Sequence, residues 1–194
     1  MNIASISMAT GAGVADRADL ADRLRCGAPG AFDLLVNLYQ RRVARLAYRL
    51  LGWSGDIDDV VQEVFLRALR NAGQYRGDAS LWTWLTRITI NCCRTHQRRR
   101  VIWDQFRRAL LRHRAAASPS SDGQAIRDER ARQVRSAVAV LPARDREVVV
   151  LFYLEQRPIA EIAALLNTST DAIEVRLHRA RRKLRVALKP MIGD

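Results

Sequence analysis

The sequence predicts an all-α protein built as two small helical domains joined by a flexible linker, the second being a helix-turn-helix domain. Three observations carry this. Apolar residues recur at spacings of 3 and 4 through nearly every stretch, which is the period of a helix with one buried face. His113 to Ala125, HRAAASPSSDGQA, interrupts that pattern with the Ala/Ser/Pro/Gly composition of a linker. Near the end, two periodic segments are separated only by Asn167-Thr168-Ser169, the length of a tight turn. The expected organisation is a disordered tail over 1–15, a first domain over 16–112, the linker over 113–125 and the helix-turn-helix domain over 126–190.

Taken in order, MNIASISMATGAGVA has neither a basic start nor a continuous apolar run, so it reads as a tail rather than a signal peptide. A short charged helix is expected from Asp16 to Arg25, ended by Cys26-Gly27-Ala28-Pro29-Gly30. The helix from Ala31 to Leu51 aligns Phe32, Leu35, Val36, Tyr39, Val43, Leu46, Ala47 and Leu50 on one face and stops at Gly52. In DIDDVVQEVFLRALR, Asp56 to Arg70, the buried side is Ile57, Val60, Val61, Val64, Phe65, Ala68 and Leu69. Asp56, Asp58, Asp59 and Glu63 crowd the first turns, where the helix dipole favours negative charge, and Arg67 and Arg70 lie towards the end. Such an acidic start repels DNA and suits a basic protein partner. No second carboxylate group completes a divalent-metal site there, so no metal is expected.

YRGDASLWTWLTRITIN, Tyr75 to Asn91, opens with a loop and continues as a helix bearing Trp82 and Trp84. Two residues apart on a helix, these rings face different ways, so either one belongs to the core and the other is exposed, or both are buried on different sides. Arg87, Arg94, Arg98, Arg99 and Arg100 form a basic ridge beside them. Aromatics next to arginines suit single-stranded DNA, because bases stack on rings while guanidiniums hold the backbone. A further basic helix is expected from Val101 to Arg114, with Trp103 and Phe106. The linker that follows spans roughly 45 Å at full extension, so two domains can reach sites more than one DNA turn of about 34 Å apart.

The second domain is expected to open with a helix from Ile126 to Val140 using Val134, Ala137, Val138 and Leu141, followed by a helix from Ala143 to Glu155. Pro158 to Leu166 puts Ile159, Ile162, Ala163 and Leu166 on one face. After the turn, Ile173, Leu177, Ala180 and Leu184 form one narrow apolar stripe, with Ser169 as N-cap and Asp171 in the first turn. The outer face then carries Asp171, Val175, His178 and Arg182, flanked by Glu174, Arg179 and Arg185. From Arg176 onward every charge is positive. A helix anchored by a core stripe and basic outside suits the major groove, its first turns at base edges and its later arginines on phosphates.

Bulk properties agree with a polyanionic partner: 33 Lys plus Arg against 20 Asp plus Glu leave a formal charge of +13. No apolar run approaches the roughly 18 residues of a membrane span, so the chain is expected in the cytoplasm. Cys26, Cys92 and Cys93 lack metal-ligand spacing and read as small buried hydrophobes. There is no Gly-rich phosphate loop and no nucleophile-base spacing, so neither a catalytic residue nor a cofactor is expected.

With these residues assembled, the chain resembles a bacterial RNA polymerase sigma factor of the extracytoplasmic-function (group 4) type. The resemblance runs from about Ala31 to Leu188 and rests on three motifs in order: DIDDVVQEVFLRALR, YRGDASLWTWLTRITIN, and LPARDREVVVLFYLEQRPIAEIAALLNTSTDAIEVRLHRARRKLR from Leu141 to Arg185. It implies a two-domain initiation factor without catalysis of its own, whose partners are core RNA polymerase, promoter DNA and an anti-sigma factor. Carried over by position, Asp58, Asp59, Gln62, Glu63 and Arg67 would face the polymerase. Arg76, Gly77, Asp78, Ser80, Trp84, Arg87 and Asn91, with Arg94 and Arg98 on the ridge, would meet the melted −10 strand. Ser169, Thr170, Asp171, Ala172, Glu174, Val175, Arg176, His178, Arg179 and Arg182 would enter the −35 major groove.

The chain departs from the family pattern at Leu81, where Phe is usual, at Thr95, often Asp, and at Arg157-Pro158, usually Leu-Ser. Ile173-Glu174-Val175 replaces a frequent Val-Lys-Ser/Thr, exchanging a phosphate-contacting lysine for a carboxylate. The competing reading is an autonomous helix-turn-helix regulator, which needs neither the Asp58 to Glu63 face nor the Trp82 to Asn91 segment. A nucleic-acid-processing enzyme would need a carboxylate or histidine cluster, and the sequence holds none.

Overall fold

The computed structural model describes residues 19–53, 57–110 and 127–192, without the side chains of 103–110, 127, 128, 130 and 190–192. The expected tail over 1–15, Asp56 and the linker over 113–125 lie outside the described residues. All described regular structure is helical: α1 (19–25), α2 (Ala31–Leu50), α3 (Asp58–Asn71), a 3₁₀ turn (Ala72–Gln74), α4 (Leu81–Leu110), α5 (Arg127–Ala139), α6 (Ala143–Val149), α7 (Ile159–Leu166) and α8 (Thr170–Ile192). The described residues divide into two compact units, one of 19–46 with 57–92 and one of 47–53 with 93–110 and 127–192. The division falls inside α2 and α4, so residues 93–110 cluster with the second unit although they were expected in the first.

The first unit is cored by the stripes read from the sequence. Leu35, Tyr39, Val43 and Leu46 of α2 are buried, as are Val60, Val61, Val64, Phe65 and Ala68 of α3 and Leu85 and Ile90 of α4. Leu69 departs from expectation: it is 50 % exposed. The buried stripe of α3 already closes on Val61, Val64, Phe65 and Ala68, and Leu69 lies about 100° further round. The two tryptophans fall between the two alternatives: Trp82 is buried and Trp84 half-buried. The separate helix expected from Val101 does not exist, because α4 is continuous from Leu81 to Leu110. No glycine or proline stands between those ends to break it.

Cys92 and Cys93 are buried, whereas Cys26 is exposed on the turn after α1 and does not belong to the core. Burial pushes the Cys92 thiol up to about 11, so it stays protonated and unreactive at neutral pH. Alkylation of the folded protein should therefore modify Cys26 first and leave Cys92 intact until denaturation; mass mapping showing equal rates would contradict this packing.

In the second unit, α2 ends through Gly52 at φ +80, with the Trp53 amide donating to the Tyr48 carbonyl (2.9 Å). The Leu50 carbonyl left over at this end accepts from Arg146 Nε (2.9 Å) and Gln97 Nε2 (3.1 Å). Arg146 also donates through Nη1 to Ala139 O (2.6 Å) and Leu141 O (3.2 Å), which accounts for a buried guanidinium. An added Cβ at Gly52 would stand 3.1 Å from Arg146 Nη1, a second reason for glycine there. Beyond α6 the helix widens over Val150–Leu154, where the Glu155 amide donates to the carbonyl of Val150 (3.0 Å). Val150 and Leu151 are buried by that turn.

Ala137, Val138 and Leu141 are buried as expected, but Val134 is 44 % exposed, one turn short of the buried end of α5. α8 packs against α5, α6 and α7. Val138, Leu141, Val149 and Ala180 form one cluster, with Trp53 and Leu184 packed against it. The turn of the helix-turn-helix is set by Asn167, which closes α7 at φ +51. Asparagine tolerates this left-handed conformation, and the Thr168 amide then donates to the Ala163 carbonyl (3.0 Å).

Candidate nucleic-acid interface

α8 starts at a side-chain cap: Ser169 Oγ accepts from the Ala172 amide at 3.2 Å, an arrangement worth about 1 kcal/mol. Ile173, Leu177 and Ala180 are 0 to 2 % exposed, and Leu184 is partly buried. Anchoring that stripe turns Asp171, Glu174, Val175, His178, Arg182 and Arg185 outward, all exposed. Ser169 and Thr170 are exposed at the turn, while Ala172 and Arg176 are half-buried at its flank. Val175 is 62 % exposed, an apolar branched side chain amid charges.

The cations of α8 do not all face outward alike. Arg179 donates through Nη2 to Asp145 Oδ1 (2.5 Å) and through Nε to both oxygens (3.2 and 3.1 Å). Lys183 Nζ donates to Asp145 Oδ2 (3.1 Å), and Arg181 Nε to the Tyr153 hydroxyl (2.8 Å). Burial by itself raises the Asp145 carboxyl, but the hydrogen bonds from Arg179 and Lys183 outweigh it and hold the group below the usual carboxylate range. Asp145 is therefore an anion at neutral pH. Sequence reasoning missed this residue, since its partners stand 34 and 38 positions away and no local pattern marks the pairing.

In the first unit, Arg76, Gly77, Asp78 and Ser80 lie on an exposed loop with Gly77 at φ +82. The loop is fastened at both ends. The buried Tyr75 hydroxyl donates to the Ala79 carbonyl, and Ser80 Oγ accepts from the Thr83 amide (3.1 Å), capping α4. Trp84 lies against the Tyr75 ring, centroids 5.3 Å apart and tilted 49°. Trp82 stacks on Tyr39 at 6.2 Å, with the Arg42 guanidinium 4.0 Å from its ring centre. Ser80, Trp84, Arg87 and Asn91 follow each other at spacings of 4, 3 and 4, so they share one face of α4 beside the loop. Arg87 and Asn91 are exposed. In the second unit Arg98 is exposed, whereas Arg94 is half-buried in a bidentate pair with Glu147 (2.8 and 2.7 Å). Glu147, like Asp145, carried no signal in the sequence that would join it to its arginine.

The acidic face of α3 has a definite shape. Asp58, Asp59 and Gln62 are exposed on the rim of a groove of about 580 Å³, lined by Phe32, Val36, Val61, Phe65 and Leu66. Glu63 and Arg67 pair along the helix at 2.5 Å. α3 has no side-chain N-cap, so Asp58 and Asp59 supply the negative charge its first turn favours. Among the described residues no helix is long and apolar enough to cross a membrane, and no group of three or more His, Cys, Asp or Glu side chains could hold a metal ion.

Comparison with known proteins matches these two regions separately. Residues 35–101 match the Sigma-70 region 2 model and residues 131–184 the Sigma-70, region 4 model. The ECF RNA polymerase sigma-E factor of Escherichia coli (strain K12) is 33 % identical over 195 residues, covering 89 % of this chain and 94 % of that protein. The RNA polymerase sigma-H factor of Pseudomonas aeruginosa is 30 % identical over 183 residues, covering 90 % and 95 %. Among solved structures, CnrH in complex with the cytosolic domain of CnrY is 32 % identical, with a TM-score of 0.62 over 90 % of this chain and 97 % of that one. The sigma factor RpoE of Bartonella quintana, solved with the anti-sigma factor NepR, shares the fold at 23 % identity and a TM-score of 0.63, covering 82 % and 98 %. Two region matches in order, at near full-length coverage of its relatives, establish that this chain belongs to the extracytoplasmic-function sigma factors of the sigma-70 family.

Proposed function

We propose that this sigma factor binds core RNA polymerase through α3 and directs initiation by reading a melted −10 strand with its first unit and a duplex −35 element with α8. It acts without catalysis of its own, in the cytoplasm and under the control of an anti-sigma factor. The observation that carries the reading is α8: its apolar stripe is buried, its start is capped by Ser169, and the face left outside is basic beyond the first turns. The apolar groove rimmed by Asp58, Asp59 and Gln62 complements a partner surface that offers apolar and basic side chains. Single-strand reading is supported by the fastened Arg76 to Ser80 loop beside Trp84, Arg87 and Asn91. Anti-sigma control is supported by CnrH, a 32 % identical relative solved in complex with the cytosolic domain of CnrY.

The test is transcription in vitro from a genomic promoter library by core polymerase, with and without this protein. Discrete start sites sharing paired upstream elements are expected. No stimulation, with tight binding to duplex DNA by the protein alone, would replace this reading with an autonomous regulator. Within the same assay, Trp84→Ala should weaken holoenzyme binding to a single-stranded −10 oligonucleotide by about 5- to 150-fold, the equivalent of one lost base stack. Unchanged binding would remove Trp84 from the strand-reading surface.

A further inference from the structure

Arg179 is 47 % exposed while its partner Asp145 is 1 % exposed, so one end of this pair is sealed in the second unit and the other stands at the surface of α8. Asp145 comes from the first turn of α6. It meets two cations one helical turn apart, Arg179 and Lys183, which would otherwise repel each other at a spacing of 4. The guanidinium uses its Nε and Nη2 edge towards Asp145. A guanidinium has five N–H groups in a rigid fork, so the pairing leaves both Nη1 protons and the second Nη2 proton, which together form the outward edge.

We propose that Asp145 is a positioning residue for −35 recognition, holding Arg179 as a preset fork whose outward edge takes a DNA phosphate. This rests on the reading that α8 binds the −35 duplex. A mobile arginine gives up rotamer freedom when it orders on a ligand, and Asp145 has already ordered this one. Pulling Arg179 off Asp145 to reach DNA would leave the buried carboxylate with Lys183 alone and forfeit three of its four hydrogen bonds, so the phosphate is met with the pair intact. The group of Asp145, Arg179 and Lys183 then brings a net charge of +1 to the DNA rather than the +2 of its two cations.

The assay is binding of reconstituted holoenzyme to promoter duplex across a salt series, comparing an intact with a scrambled −35 element. Asp145→Asn should weaken −35-dependent binding about tenfold even though it makes the protein more positive, and its salt dependence should be unchanged or steeper. Arg179→Lys, which keeps the charge but lacks a fork able to hold carboxylate and phosphate together, should lose a similar factor. The double variant should be no weaker than either single, since the two residues act as one unit. Tighter binding by Asp145→Asn would mean that the carboxylate merely neutralises cations, and wild-type binding by Arg179→Lys would mean that the fork is not used; either overturns the proposal. Should Asp145→Asn fail to fold, the partly exposed Arg179→Lys decides alone. A wild-type holoenzyme that transcribes from promoters but ignores the −35 element overturns the positioning role while sparing polymerase recruitment; one that does not transcribe at all overturns the sigma reading itself.

Discussion

Replacing Glu63 by arginine should abolish assembly with core polymerase while leaving the helices in place. Glu63 is half-exposed on α3 and pairs with Arg67 at 2.5 Å. As an exposed i,i+4 pair it stabilises the helix by no more than about 0.5 kcal/mol, so its loss does not threaten the fold. At a docking surface the same change reverses a charge beside Asp58, Asp59 and Gln62, and like charges facing a basic partner cost several kcal/mol. Expected is loss of co-elution with core polymerase and of promoter-specific transcription, with an unaltered far-ultraviolet circular dichroism spectrum. Transcription at the wild-type level would remove α3 from the polymerase surface and leave its acidic start explained by the helix dipole alone.

The second large effect is expected in the core of the helix-turn-helix. Leu177 is 2 % exposed on the stripe by which α8 packs on its neighbours. Leu177→Ala should cost about 2 to 5 kcal/mol, combining lost apolar burial with the cavity left behind. For a unit of this size, calorimetry should show its unfolding transition falling by at least about 8 °C. Promoters that depend on the −35 element should lose activity as the assay temperature rises, before those that do not. A shift below about 2 °C would mean that α8 is held by something other than this stripe. Both variants act through faces of one helix each, but Glu63→Arg acts at the surface and Leu177→Ala through packing.

The same contrast separates what was readable in the chain from what was not. The stripe of Ile173, Leu177, Ala180 and Leu184, the Ser169 cap and the turn at Asn167 to Ser169 were readable, because each depends on residues within one or two helical turns of each other. Leu69 and Val134 were misread as buried because a periodic pattern gives the direction of a face but not where its cover ends. The break expected near Val101 was misread for a related reason: a change in composition along α4 is not a change in backbone conformation when neither glycine nor proline is present.

What the chain by itself determined is therefore the helices, their buried faces, the helix-turn-helix and the basic charge, and with the motif order, the sigma family. These follow from local periodicity, capping and composition, which are written in consecutive residues. Only the tertiary structure decided which charges act alone. Arg179 and Lys183 meet Asp145 across 34 and 38 residues, and Arg94 meets Glu147 across 53. A carboxylate and a guanidinium so far apart in sequence carry no mark of their pairing, because the pairing energy exists only after the helices have packed and removed the carboxylate from water.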